Sequence, residues 1–181
     1  RTELNIPIAL FLPDAQDPQQ IILGELFAPY LDFIVHALSA QPNEQSTDKY
    51  IRIPHPKDPA VFNDPQLSRE IDVCFAGSCY DRPLRIELIS YLENDGIRVH
   101  KVGGQREQPV SSTEFALTLK RSKIALNIMD YGRPAINGRL MEATLCGSLL
   151  LNAGDSEAEL WLTPEREFVQ ARTKAEVVSK I

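Results

Sequence analysis

No pair of cysteines in this 181-residue chain has the spacing that holds a metal. The three thiols, Cys74, Cys79 and Cys146, form no CxxC motif and no cluster with histidine, which argues against a zinc site. Three is also an odd number, so a disulfide framework does not follow; buried free thiols and a reducing, cytoplasmic setting do. There is no Walker A lysine motif and no GxGxxG, so neither an ATPase loop nor a dinucleotide fingerprint is supported. Long apolar runs are missing as well, so no integral membrane segment and no signal peptide is read. Basic residues (19) are outnumbered by acidic ones (25), giving a formal net charge of −6. That balance argues against non-specific binding to nucleic acid or anionic membranes, while leaving room for a local basic pocket. His36, His55 and His100 are scattered and fit no metal or triad spacing.

The hydrophobic content is 43%, enough for a true core in one domain or in parts of two. The chain begins at Arg1, and its last helix has a start signal and no stop. The expectation is a piece of a longer protein.

Apolar runs predict strands at 6–12, 32–36 and 50–53, with a helix over 21–30. Residues 54–65 carry four prolines and read as a linker, dividing a segment 1–65 from a domain 66–181. After it, strands at 71–76, 97–102, 123–129 and 148–152 alternate with helices, and a short fifth strand is expected within 165–170. Asp81 is placed to cap the first of these helices. Ser111 with Glu114, and Thr173 with Glu176, have capping-box spacing. This alternation predicts an α/β fold: a Rossmann-like parallel sheet with helices on both faces, which binds ligands beyond the carboxyl ends of its strands.

The candidate site residues fall at those ends. Gly77 and Ser78 follow the first strand of the domain, and Gly103 with Gly104 follows the second; glycine lets a backbone approach a ligand closely. Arg82 and Arg85 stand in the first turn of a helix, where cations oppose the helix dipole unless an anion is bound. The strongest pair is Arg139 and Glu142, three apart and so on one helix face. One reading is a surface salt bridge worth ~0.3–0.5 kcal/mol. The other places Asn137, Gly138 and Arg139 at a diphosphate and Glu142 at the two hydroxyls of a ribose, each contact worth roughly 1.5–3 kcal/mol. On the second reading Glu142→Ala weakens nucleotide binding and leaves the domain folded.

Several segments resemble the donor domain of GT-B glycosyltransferases of group 1. Residues 71–78 (IDVCFAGS) look like its first strand and phosphate loop, 123–127 (KIALN) like the strand before the donor loop, and 165–169 (EREFV) like a later strand. Residues 138–147 (GRLMEATLCG) resemble the signature of the spore-maturation-type subgroup. The resemblance covers about residues 70–181, and more loosely 1–65 as the end of an N-terminal domain. It implies a nucleoside-diphosphate-sugar donor, an unspecified acceptor (glycan, protein or small molecule), and no cofactor or metal. By position, Glu142 would bind ribose, Gly138 and Arg139 the phosphates, and Gly77 and Ser78 would line the cleft. Many retaining relatives carry an acidic residue eight positions before that glutamate, where this chain has Pro134. A non-catalytic nucleotide-sugar or glycan-binding module of the same fold therefore stands as the alternative.

Overall fold

The computed structural model describes residues 6–12, 18–36, 48–80, 82–103, 110–129, 138–154 and 157–181. Contacts divide the chain into two units, Arg1–Pro56 and Lys57–Ile181.

In the first unit, β1 (Ala9–Leu12), β2 (Phe33–His36) and β3 (Tyr50–Arg52) form a parallel sheet in that order. β1 starts later than its apolar run because Pro7 has no N–H for a ladder. Helix α1 spans Pro18–Phe27 and gives way to a 3-10 turn at Ala28–Tyr30. Pro29 explains the change: it lacks a donor and disfavours α backbone in the residue before it. Lys49 ties this turn down, donating to the carbonyls of Ala28 and Leu31 at 3.0 Å each. Leu12, Leu31 and Ile34 are the buried centre of this unit.

The second unit holds β4 (Ile71–Ala76), α2 (Pro83–Asn94), β5 (Val99–Val102), α3 (Ser112–Lys120), β6 (Ser122–Ile128), α4 (Arg139–Leu145), β7 (Leu149–Ala153), β8 (Val169–Ala171) and α5 (Lys174–Lys180). Its five strands are parallel, in the order β5-β4-β6-β7-β8. One face packs Cys74, Ala76, Ala125 and Leu150 against α3 and α4. The other packs Val73, Phe75, Leu126 and Leu151 against α2 and α5. Burial on both faces accounts for strands that read as continuous apolar runs.

The local signals act as the sequence predicts. Ser111 Oγ accepts the N–H of Glu114 at 3.2 Å, and Thr173 Oγ1 that of Glu176 at 3.1 Å. Gly96, at φ +86°, closes α2: its N–H reaches the Glu93 carbonyl (3.1 Å) while that of Ile97 reaches Leu92 (2.9 Å).

Other expectations shift as well. The boundary expected after Pro65 falls after Pro56 in the contacts, because Phe62 is buried in the core of the second unit. α2 starts at Pro83 with Arg82 at its N-cap and no side-chain cap; Asp81 lies outside the described residues. The last strand begins only at Val169, since the charged residues Glu165, Arg166 and Glu167 are exposed in a turn that delivers the fully buried Phe168.

Cys146, at the end of α4, is completely buried. Desolvation is the main cause that pushes its thiol up from 9.0 to about 11. Between those values the unfolded chain releases a proton that the folded chain keeps. The stability is therefore present in full below pH ~9 and falls as pH rises toward ~11. Urea unfolding at pH 8, 9 and 10 should show a steeper decline for wild type than for Cys146→Ala; parallel declines would refute it.

Candidate functional site

The strand order, read in chain order as 2-1-3-4-5, puts a topological switch point between β4 and β6, and open sheets of this kind bind ligands beyond the carboxyl ends of the strands there. Gly77 leaves β4 there, with its N–H on the carbonyl of Val102 at 2.9 Å. A Cβ at Gly77 would stand 3.1 Å from Arg139 Nη2 and 3.3 Å from Phe75 Cζ, so glycine here permits a close approach of α4. Gly103, at φ +75°, ends β5 within 3.8 Å of the Gly77 carbonyl oxygen, measured from the position of its missing Cβ. The two glycine turns thus lie side by side.

Ser78 is held in a local turn, its Oγ accepting the N–H of Tyr80 at 3.1 Å. Its carbonyl accepts Arg85 Nη1 at 2.7 Å, and Arg85 Nε reaches the carbonyl of Ile128 at 3.3 Å. Arg85 therefore clamps the end of β4 to the end of β6. Its guanidinium also lies 5.8 Å from the Phe75 ring centroid. Arg82 is exposed at the helix start.

The centre of the site is a carboxylate between two cations. Glu142 Oε2 accepts Arg139 Nη1 at 2.9 Å, and Oε1 accepts Lys57 Nζ at 2.6 Å. The three side chains are only 12–18% exposed. Each cation lies over an aromatic ring: Arg139 at 4.7 Å from the Phe115 centroid, Lys57 at 5.8 Å from Phe62. The two rings meet edge to face at 6.4 Å. Burial pulls the Arg139 pKa down, and the adjacent Glu142 charge opposes that pull. So the Arg139–Glu142 pair is not the loose surface bridge that its spacing also allowed.

Gly138 precedes this helix with φ −57°, so its backbone does not demand glycine. A Cβ there would lie 2.6 Å from Lys57 Nζ and 3.1 Å from Glu142 Oε1, so a side chain would displace the flexible end of Lys57. α4 has seven residues, which limits what its dipole can offer an anion. The charged side chains carry the site.

The structure thus brings together Gly77, Gly103, Gly138, Arg139 and Glu142, with Ser78 joined through Arg85. Asn137, Gly104 and Pro134 lie outside the described residues. Lys57, Phe62 and Phe115 were missed. Lys57 is 85 residues from Glu142 in a proline-rich stretch, and no periodicity or motif marks it. Among the described residues, no group of three His, Cys, Asp or Glu side chains could hold a metal ion. No helix among them is long and apolar enough to cross a membrane.

Known proteins can now be set beside this geometry. Among solved structures, Anabaena HepE, crystallised in complex with UDP and glucose, superposes with a TM-score of 0.66 at 12% identity, over 96% of this chain and 60% of that one. The GtfA/B complex superposes with a TM-score of 0.56 at 9% identity, over 96% of this chain and 45% of that one. The chain therefore spans about half the length of these structures. No curated protein matches it in sequence. The profile of the family described as Glycosyl transferase-like matches residues 72–181, which include all of β4 but its first residue, Gly77 and the whole of α4. The chain belongs to this Glycosyl transferase-like family and has the GT-B glycosyltransferase fold.

Proposed function

We propose that the second unit binds a nucleoside-diphosphate sugar at the carboxyl edge of its sheet, as part of an enzyme that transfers the sugar to an acceptor. The observation that carries this reading is the Glu142 carboxylate, fixed at both oxygens by two cations, one of which, Arg139, packs against the glycine turn after β4. A carboxylate has about four acceptor positions, and the two cations occupy two of them. The remaining two suit the vicinal hydroxyls of a ribose. Arg139, within reach of Gly77, suits the phosphates, where fixed positive charge would stabilise a leaving diphosphate without a metal ion. The HepE structure holds UDP and glucose on a similar fold, which makes a uridine nucleotide the first to try.

Thermal stabilisation by UDP, GDP and ADP tests this. A nucleotide at ~100 times its dissociation constant adds about 2.7 kcal/mol, a rise of about 8 °C for a chain of this size. One of the three should produce that rise, and Glu142→Gln should abolish it. No rise with any of them would overturn the donor-site reading.

Pro134, eight positions before Glu142, favours the second reading, a binding module without turnover. Release of free sugar or transfer of it to an acceptor, assayed with the nucleotide sugar that binds, decides between the two.

A further inference from the structure

The ammonium of Lys57 has three N–H donors and no acceptor, and one donor is taken by Glu142 Oε1 at 2.6 Å. The side chain reaches Glu142 from outside the residues that match the family profile, which begins at residue 72. Its ammonium lies 5.8 Å from the Phe62 ring centroid and occupies the space that Gly138 leaves by having no Cβ. Such a site is costly to keep for stability alone. A partly buried ion pair returns little net free energy, and an apolar side chain in place of the lysine would cover Phe62 as well.

We propose that Lys57 is a further donor-binding residue: it holds Glu142 with one N–H and gives the others to the phosphate oxygens of the nucleotide. This rests on the donor-site reading above. Glu142 would take the ribose hydroxyls, and the phosphates are joined to that same ribose. A cation on that same carboxylate is then within reach of those phosphates. The consequence is selectivity. The site recognises nucleoside diphosphates over nucleosides, because Lys57 adds binding only when phosphate is present.

The test is the affinity of wild type, Lys57→Met and Lys57→Arg for UDP, UMP and uridine. Calorimetry serves for the first two and ligand-observed NMR for uridine, with the guanosine and adenosine series run in parallel. Lys57→Met should lose about tenfold or more toward UDP, with uridine changed by less than about threefold, and Lys57→Arg should keep most of the UDP affinity. Gly138→Ala pushes against the flexible end of Lys57 and should show the same UDP-selective loss. The double variant should then be no weaker than the poorer single one, since both act through one contact. Equal losses for UDP and uridine in Lys57→Met, or unchanged UDP affinity, would overturn the proposal and leave the donor site standing. Failure of wild type to bind any of these nucleotides would remove the donor site and this role together.

Discussion

Glu142→Ala is expected to lower nucleotide affinity by roughly a hundredfold or more and to destabilise the second unit by about 2–4 kcal/mol. The first effect follows from two charge-assisted hydrogen bonds to ribose, each worth roughly 1.5–3 kcal/mol. The second comes from the structure. Removing the carboxylate takes away the anion that Lys57 and Arg139 share, each 18% exposed, so the repulsion between two like charges is no longer offset there. An isolated residue pair on a helix surface would have lost almost nothing, which is why the sequence alone points to an intact fold. Glu142→Gln separates the two effects. It keeps the shape and one acceptor for the cations, so its stability loss should be smaller while its affinity loss stays large. Urea denaturation gives the stability of each variant, and calorimetry well below the melting temperature gives the affinity. An alanine variant as stable as wild type would mean that the two cations are held by other groups. An affinity unchanged in both variants would remove Glu142 from the site.

The carboxyl-edge glycines and the Gly138–Glu142 segment were legible in the sequence because their signals are local: a strand that stops at glycine, two charges three apart on a helix. The same holds for the caps at Ser111 and Thr173. What escaped was whatever a strand or loop does through long-range pairing. Asn127, Asn152 and Gln170 read as ordinary positions in or near strands, yet register sets them side by side on β6, β7 and β8. Asn127 donates to Asn152 Oδ1 at 2.7 Å, and Asn152 donates to Gln170 Oε1 at 2.8 Å, forming a polar ladder inside an apolar sheet. Nothing in the alternation of residues announces which strands are neighbours. Lys57 escaped for the same reason, and proline density made its segment look like a spacer. Arg85, weighed as a phosphate ligand or a solvated charge, turned out to bind the carbonyls of Ser78 and Ile128.

Gly147→Ala should cost about 3 kcal/mol or more and lower the melting temperature by about 10 °C, although it lies at the opposite end of the sheet from the site. The sequence shows half of the reason. Gly147 ends α4 at φ +74°, with its N–H on the Thr144 carbonyl (3.0 Å) and that of Ser148 on Ala143 (3.1 Å); a side chain in this left-handed backbone is strained by roughly 1–2 kcal/mol. The other half is spatial. A Cβ at Gly147 would meet the Asp64 carboxylate and stand 2.5 Å from Arg69 Nη2. Arg69 cannot retreat cheaply, because it donates to the carbonyls of Ser122 (2.8 Å) and Cys146 (3.0 Å) and to Asp64 (3.2 Å). Those bonds join the start of β6 to the end of α4, and each lost charged contact costs about 1.5–3 kcal/mol. Arg69→Ala alone should also destabilise. The double variant should lose clearly less than the sum of the two, since both remove the same bonds. Additive losses would show that strain at Gly147 acts alone. Nucleotide affinity measured in the cold should be the same in Gly147→Ala as in wild type, because Arg139 and Glu142 are on the first turn of α4 and Gly147 lies beyond its last. A weakened affinity would mean that the end of α4 positions its beginning, and the Arg69 clamp would then belong to the binding machinery as well as to the fold.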